Sequence, residues 1–400
     1  MPADLATRNQ STRFLLLYAL AWAGGSVSYV PFLSILLPVR VSAVAPGASV
    51  EWLAQIAFVG AVAASLGNIG FGWLSDKTGS RRGLIVAGVA ISSTLLVTMP
   101  ITPDYGRLLL HIVAWQLSLN LMLAPLAAWA GDCIPHHQKG VLGGLIAFAP
   151  AIGAMSGALV TMPGLASGDG RLWLVAVLVP LCVLPAVLMG KPRPFPDLLH
   201  SGAAAVPLHQ KLAHLLHSAV GRMWIARLLI QIAESALFAY LYVWLRTLDE
   251  SVGDNDTARL FSIVLAGSVP IAFLAGYWSD RSGRPARPLV VGTALSATGL
   301  VVMGLAGSVP VAVAGYCIFG LTSTAFLSLH SAQTLRFLSR PEHRGRDLGL
   351  FNLTNTVPSL VMPWLALALV PVFGFGALFF LLAGFAAASS MLLLSLSRHA

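Results

Sequence analysis

Apolar residues fill this chain in long runs, and shorter polar, charged or proline-containing stretches separate them. Twelve runs are each about 20 residues long, the length that a helix needs to cross a bilayer. They lie at about 13–38, 51–73, 83–101, 107–130, 141–163, 171–189, 222–246, 257–278, 287–305, 309–334, 347–371 and 375–396. Barrel strands would be shorter and would alternate. The pattern therefore predicts an all-α integral membrane protein with twelve transmembrane helices.

Basic residues distinguish the two ends of the predicted helices. Of the 24 Lys and Arg residues, all but six fall on one side; the exceptions are Arg40, Arg107, Arg171, Arg246 and Arg259 on the other side and Arg227 within a helix. Because basic loops remain in the cytoplasm, both termini are predicted to be cytoplasmic. This placement explains the net charge of +9 as membrane topology, and we expect no nucleic-acid partner.

Composition excludes other classes. Hydrophobic residues make up 57% of the 400 residues and charged residues only 10%, more apolar surface than a soluble domain can bury. The three cysteines, Cys133, Cys182 and Cys317, are far apart and indicate neither a disulfide framework nor a metal site. No cleavable signal peptide, no phosphate-binding Gly-x-x-x-x-Gly-Lys sequence and no cofactor motif is evident.

Two polar loops occur twice at nearly the same interval. The sequence from Gly72 to Arg82, G-W-L-S-D-K-T-G-S-R-R, returns from Gly276 as G-Y-W-S-D-R-S-G-R, an offset of 204 residues (276 − 72). A second basic loop repeats from Lys139 to Arg344, an offset of 205 (344 − 139). The chain is therefore predicted to contain two pseudo-symmetric six-helix halves, 1–190 and 222–400, with a cytoplasmic linker at 191–221.

These loops resemble the signature of the major facilitator superfamily, G-x-L-x-D-(R/K)-x-G-R-(R/K). Ser80 stands where the family usually has Arg, and Trp278 replaces the usual Leu. The resemblance implies a bacterial-type secondary transporter of the inner membrane that moves a small molecule by alternating access. It also implies that the signature residues form a conformational latch, namely Gly72, Asp76, Gly79, Arg81, Arg82, Asp280, Arg281, Gly283 and Arg284.

The chemistry of the latch can be stated from its residues. Gly79 permits a tight turn. Asp76 can accept backbone N–H groups at a helix N-terminus, and pseudo-symmetry places that terminus at the start of helix eleven, near Gly345. Asp280 would face the start of helix five. We expect these contacts to hold the cytoplasmic side closed. The alternative is that Asp76 only makes the loop soluble.

Glu234 is the one Asp or Glu that lies deep within an apolar segment. Arg227, Gln231 and Glu234 are spaced four and three residues apart in helix seven, so they share a helix face. Charges in a bilayer core are costly and mark functional positions. Glu234 is therefore a candidate for proton coupling, with substrate contact and a structural hydrogen-bond network as alternatives. His330 on helix ten is a second candidate, although a lone buried histidine is more often structural.

Other polar and aromatic residues suggest a substrate cavity. Pockets for organic ligands combine aromatic walls with a few polar groups. Besides Arg227 and Gln231, the candidates are Trp22, Tyr29, Tyr240, Gln116, Asn120, Asn352 and Asn355. The alternative for each amide is a hydrogen bond between helices. Together they favour an uncharged or zwitterionic polar solute as the substrate. Because Arg227 is positively charged, an anionic substrate remains an alternative.

Two departures from family patterns bear on mechanism. Helix four lacks the Arg that many members of the superfamily carry midway along it. Proton coupling is therefore expected to depend on Glu234 and not on an arginine of helix four. On helix five, Ala149-Pro150-Ala-Ile-Gly153 partly matches an exporter pattern, and Pro150 should kink the helix. This favours efflux slightly over uptake.

Several functional alternatives remain open. An uncoupled facilitator or a proton-coupled importer of a sugar-like or other polar metabolite is the nearest, and a membrane sensor that binds without transporting is more distant. A single deep carboxyl group does not suit an intramembrane enzyme. We expect a monomer in the bilayer that uses a small-molecule substrate and protons.

Overall fold

The computed structural model of the chain describes residues 9–45, 47–101, 104–135, 138–193, 219–282, 286–337 and 344–397. Within these ranges, side chains are not described at 139, 140, 219, 220, 280, 282, 331–337, 344–353, 355 and 397. The described residues form helices and turns, without a strand among them. Eleven helices in this part of the chain are long and apolar enough to cross a membrane, and the last contains two of the predicted segments.

The first half of the chain contains six membrane-spanning helices. They are α1 Thr12–Val44, α2 Ser49–Thr78, α3 Arg81–Ile101, α4 Tyr105–Cys133, α5, formed by Lys139–Ile146 and Ala149–Val160, and α6 Gly170–Met189. α1 packs against α5 and α6, and α3 packs against α4 and α6. α5 is interrupted just before Pro150, which lies in the first turn of its second piece. The predicted kink is therefore confirmed.

The second half contains the remaining helices. They are α7 Ala219–Leu248, α8 Asp254–Ser282, α9 Ala286–Gly304 and α10 Val309–Phe337, followed by a continuous helical stretch, Arg344–Ser397. We call its parts on either side of Gly374 α11 (344–373) and α12 (375–397). α10 packs against α7, α8 and α9, and the long stretch packs against α7 and α9.

Gly374 explains why twelve predicted segments give eleven separate spans. Its φ of 74° and ψ of 177° are not helical, and they lie in a region open almost only to glycine. The chain therefore changes direction at one residue, without an intervening loop. With α11 and α12 counted apart, the predicted all-α architecture of twelve transmembrane helices is confirmed.

Two helices are longer or less regular than the sequence suggested. α2 continues through Asp76 and Lys77 to Thr78 and ends only where Gly79 takes a φ of 63°, so part of the predicted loop is helical. α1 continues to Val44 through a π-helical turn at Phe32–Leu36. Proline at 31 and 38 removes two backbone donors from this region, which favours an irregular turn there.

The chain divides into two compact units. One consists of Met1–Leu37 and Val59–Gly202, and the other of Pro38–Phe58 and Ala203–Ala400. The predicted division into 1–190, a linker at 191–221 and 222–400 remains a prediction. Most of that linker lies outside the described residues.

A buried glutamine joins three distant segments of the first unit. Gln10 is 2% exposed. Its backbone N–H donates to Oε1 of Gln138 at 2.6 Å, and its side-chain Nε2 donates to the carbonyl of Cys133 at 2.9 Å. Its Oε1 accepts from the backbone N–H of Arg193 at 3.0 Å. These bonds hold the residue Gln10, which lies just before α1, to the end of α4, to Gln138 and to Arg193.

Close helix contacts depend on two glycines at matching places in the units. A Cβ on Gly88 of α3 would lie 2.4 Å from the backbone nitrogen of Met122 in α4. In the second unit, a Cβ on Gly299 of α9 would lie 2.6 Å from the backbone nitrogen of Phe319 in α10. Backbones approach this closely only where a side chain is absent.

Candidate functional site

Glu234 is held by hydroxyl groups of a neighbouring helix. Its Oε1 accepts a hydrogen bond from Ser323 Oγ at 2.9 Å and another from Thr324 Oγ1 at 3.2 Å. Ser323 is fully buried, whereas Glu234 is only partly buried. The contact joins α7 to α10 near the middle of both helices.

Arg227 lies two turns before Glu234 on the same face of α7 and has different partners. Its Nε donates to Thr354 Oγ1 of α11 at 3.1 Å, and an Nη donates to the backbone carbonyl of Leu327 in α10 at 3.2 Å. The guanidinium group therefore links three helices of the second unit. A group that bonds in this way stabilises packing as well as placing a positive charge in the bundle.

His330 is fully buried and bonds to the backbone. Its Nε2 lies 2.9 Å from the carbonyl oxygen of Met223 on α7. Because a carbonyl oxygen can only accept, this nitrogen carries the hydrogen. The ring of Phe326 lies 5.2 Å away between centroids. This geometry is that of a histidine that stabilises helix packing.

These contacts form a line along the antiparallel pair α7 and α10. Residue numbers rise along α7 while their partners' numbers fall along α10: Met223 with His330, Arg227 with Leu327, and Glu234 with Ser323. The line spans about 16 Å at a rise of about 1.5 Å per residue. Charged side chains are costly inside a membrane bundle, which makes Arg227 and Glu234 candidates for a functional role.

Tyr240 and Gln231 lie on α7 near Glu234. Tyr240 is 2% exposed, and its hydroxyl group has no hydrogen-bond partner among the described residues. Its ring packs near Phe375 of α12, with 6.4 Å between centroids. Gln231 is partly buried. Two other predicted cavity residues, Asn352 and Asn355, have side chains outside the described residues.

The amide candidates of the first unit meet between α2 and α4. Asn120 Oδ1 accepts from Asn68 Nδ2 at 3.4 Å, and its own Nδ2 donates to the carbonyl of Gln116 at 2.9 Å. Gln116 and Asn120 are both buried. On α1, Trp22 is partly buried and stacks on Tyr18 with 6.3 Å between centroids, and Tyr29 is partly buried.

Arg81 is the centre of the first signature loop. Its three guanidinium nitrogens contact Asp76 at 2.6 Å, Ser75 at 2.7 Å and Asp132 at 2.9 Å. The Asp132 carboxylate lies at the end of α4, so Arg81 ties the α2–α3 turn to α4. A guanidinium fork suits such multiple contacts. The helix-eleven terminus that was predicted to face Asp76 has side chains outside the described residues.

Arg82 makes a second connection from this loop. One of its nitrogens donates to the carbonyl of Gly190 at the end of α6 at 2.9 Å, and its guanidinium lies 5.3 Å from the ring centroid of Trp129. Gly72 lies in open space, since a Cβ there would meet nothing within 4 Å. The turn at Gly79, with its positive φ, is confirmed.

The second signature loop is described through residue 282, except for the side chains at 280 and 282. Arg281 donates to the hydroxyl of Tyr277 at 2.6 Å. The side chain of Asp280 lies outside the described residues, as do Gly283 and Arg284 entirely. The predicted pairing of Asp280 with helix five is therefore not described.

Sequence reasoning missed the partners of the charged residues. Ser323 and Thr324 belong to a run of three hydroxyl residues, Thr322-Ser323-Thr324, within an otherwise apolar helix, and this run was the available signal. Asp132 was visible at the end of helix four, but nothing in the sequence paired it with Arg81. Among the described residues, no three His, Cys, Asp or Glu side chains converge as metal ligands would.

Comparisons with known proteins identify the architecture. The family model of the Major Facilitator Superfamily matches residues 223–400. A solved structure of a bacterial homologue of the human lysosomal transporter Spinster, in an inward-facing and unoccupied conformation, aligns with a TM-score of 0.65 at 13% identity. The alignment covers 97% of this chain and 95% of that one. The resemblance to the major facilitator superfamily is confirmed.

The two comparisons contribute differently. The match to the superfamily rests on the sequence of the second half, whereas the likeness to the Spinster homologue shows a shared fold along nearly the whole chain. No curated protein matches the sequence significantly. The superfamily and its fold support a secondary transporter that is embedded in the membrane by many apolar helices, and they point away from an enzyme.

Proposed function

We propose that this member of the superfamily is a proton-coupled secondary active transporter that moves a small organic solute by alternating access. The observation that carries the proposal is the contact of Glu234 on α7 with Ser323 and Thr324 on α10. A carboxyl group is costly inside a membrane-spanning helix, so a carboxyl group at such a position is a candidate for a functional role. Hydroxyl partners leave it able to change its protonation state, which a buried Lys or Arg partner at the same distance would oppose.

The geometry supports proton exchange at Glu234. The side chain is partly buried, and its Oε1 is held by two neutral hydroxyl groups. A carboxyl group retains acceptor capacity when it is protonated, so Ser323 and Thr324 can hold it in place in either state. Arg227 bonds to Thr354 and Leu327 rather than serving only as a counter-ion. His330 bonds to a backbone carbonyl, and we assign it a structural role.

The substrate that we propose is an uncharged or zwitterionic polar molecule. The candidate residues supply amides and aromatic rings in the first unit and the Tyr240 hydroxyl, Gln231 and Arg227 in the second. Such a set of residues suits a ligand that makes a few directed hydrogen bonds better than it suits a highly charged ligand. The slight preference for efflux rests on the partial match of Ala149-Pro150-Ala-Ile-Gly153 to an exporter pattern.

The location and the loops complete the proposal. We place the protein in a bacterial inner membrane as a monomer with both termini cytoplasmic, because the basic residues lie on that side. The signature loops act as a latch on the same side, and the Asp76–Arg81–Asp132 contacts support an ordered loop there. If Asp76→Asn leaves both the transport rate and the populations of the conformational states unchanged, the latch is rejected.

Flux measurements in proteoliposomes test the proposed coupling. Purified protein would be reconstituted with a pH-sensitive dye inside the vesicles and offered sugars, amino acids, peptides, organic acids and cationic drugs in turn. We expect one class to move protons with the wild type, and we expect Glu234→Gln to abolish that movement. Opposite solute gradients across the same vesicles give the direction of transport.

A second carboxyl substitution provides the matched control. Glu51 lies in the first turn of α2, is exposed and interacts with Gln55 on its own helix. Glu51→Gln should therefore retain solute-driven proton movement. Solute flux that is equal in wild type and Glu234→Gln, without proton movement in either, would reject coupling and favour the uncoupled facilitator.

A further inference from the structure

An exposed aromatic ring and a cation lie one above the other at the last turn of α2. The Nζ of Lys77 lies 5.0 Å from the ring centroid of Trp73. Although Trp73 is large and apolar, 62% of it is exposed. Such a pair gains from cation–π attraction, yet it leaves most of the ring and the charge available to something outside the protein.

The same arrangement occurs at the last turn of α8. The guanidinium of Arg281 lies 5.5 Å from the ring centroid of Tyr277 and also donates to its hydroxyl at 2.6 Å. Tyr277 is 61% exposed. The offset from Trp73 to Tyr277 and from Lys77 to Arg281 is 204 residues in both cases (277 − 73 and 281 − 77). The pair therefore belongs to the internal duplication.

An apolar residue precedes each pair by one turn. Ile69 is 73% exposed and lies four residues before Trp73, while Phe273 is 71% exposed and lies four residues before Tyr277. Residues four apart lie on one face of a helix. Each face therefore passes from an apolar side chain through an aromatic ring to a cation as it approaches the cytoplasmic end.

We propose that each of these two faces binds an anionic phospholipid of the cytoplasmic leaflet. Lys77 and Arg281 would contact the headgroup phosphate, Trp73 and Tyr277 the glycerol and ester region, and Ile69 and Phe273 the acyl chains. Aromatic side chains favour the membrane interface, and basic groups there attract anionic lipid. The proposal uses the orientation inferred from the basic residues and is independent of the substrate and of proton coupling.

Charge complementarity selects this occupant. A transported solute would not require an apolar-to-cationic gradient over about two helical turns, and a second copy of the chain would bring a like-charged face against Lys77 or Arg281. An anionic phospholipid presents acyl chains, a glycerol and ester region and a negatively charged headgroup in the same order as the apolar, aromatic and cationic side chains of each face. Two such sites, one in each unit, follow from the duplication.

Native mass spectrometry of the full chain in detergent tests the proposal. Dioleoyl phosphatidylglycerol and dioleoyl phosphatidylcholine have the same acyl chains and differ in net charge. We expect two phosphatidylglycerol molecules to bind at about fivefold lower concentration than phosphatidylcholine, the preference expected from one basic group at the membrane surface. Lys77→Gln or Arg281→Gln should each remove that preference from one of the two molecules.

Further variants separate the faces from a general effect of charge. Arg13 is an exposed cytoplasmic arginine at the start of α1, and Arg13→Gln should retain two preferred molecules. Trp73→Ala and Tyr277→Ala should each weaken one of the two while the protein stays folded, as checked by its thermal melting curve. Equal binding of the two lipids by the wild type would overturn the proposal, as would an equal loss in Arg13→Gln and Lys77→Gln.

Discussion

Ser323 donates a 2.9 Å hydrogen bond to the carboxyl group of Glu234 across the contact between α10 and α7. The hydroxyl is fully buried, so it faces no competing water. This pair ties the carboxyl group of Glu234 on α7 to the neighbouring helix α10. Movement of α10 relative to α7 would change the environment of the carboxyl group directly.

Ser323→Ala should slow solute-driven proton movement about fivefold while leaving the protein folded. Loss of one such hydrogen bond costs about 1 kcal/mol, which corresponds to that factor. The dye assay in proteoliposomes measures the rate. Ser328 provides the control, because its hydroxyl is exposed at the other side of α10 and donates to the carbonyl of Thr324 on its own helix. If Ser328→Ala slows the rate equally, Ser323 has no special role.

Asp132→Asn should destabilise the protein more than Asp76→Asn, although both side chains contact Arg81. The side chain of Asp132 is 26% exposed and that of Asp76 is 68% exposed. We expect a loss of about 1–3 kcal/mol for Asp132→Asn and of less than about 1 kcal/mol for Asp76→Asn. Thermal unfolding in detergent measures both. Equal losses of stability in the two variants would show that the exposure of the aspartate does not determine how strongly each ion pair stabilises the protein.

Gly88→Ala should lower the free energy of unfolding by about 1–3 kcal/mol, as overpacking usually does. The added methyl group would lie 2.4 Å from the Met122 backbone nitrogen, and backbone cannot move aside as a side-chain end can. Gly131 of α4 is the control, since a Cβ there meets nothing within 4 Å. Gly131→Ala should be neutral or stabilising by up to about 1 kcal/mol, and a matching loss would contradict the packing explanation.

Gln10→Ala should accelerate hydrogen exchange of the Arg193 backbone N–H, which donates to Gln10 Oε1, at least about tenfold. The Gln10 side chain makes a reciprocal pair of hydrogen bonds with the backbone of Arg193, and two bonds at about 1 kcal/mol each give a factor of that order. Hydrogen–deuterium exchange followed by mass spectrometry measures the rate. Gln55→Ala, which loses a contact with Glu51 on its own helix, should leave the exchange rate at Arg193 at the wild-type value.

Much of the fold could be predicted because membrane helices are local features. The length of each apolar run sets a span, the basic residues set the orientation, and the repeated loops indicate two halves. Gly79 was identified correctly as a turn because the signature requires one. A break between the last two segments was predicted at 372–374, but nothing in the sequence showed that Gly374 alone would make it, since no polar residues mark a loop there.

The site could be predicted only in part because its contacts join helices far apart in the sequence. Glu234 was evident as a carboxyl group in an apolar run. Its partner Ser323 was not, because one sequence does not show which face of α10 meets α7. The bonds of Gln10 span 123 residues to Cys133 and 183 to Arg193, and no periodicity predicts such contacts.

The single-residue junction at Gly374 restricts how this part of the chain can evolve. A loop absorbs insertions and deletions because its length is free. Here α11 and α12 meet at one residue, and each added residue would rotate one helix by about 100° relative to the other. That rotation would turn the packed face of α12 away from α7 and α9. Descendants of this sequence can therefore exchange the residues beside Gly374 more readily than they can add or remove residues there.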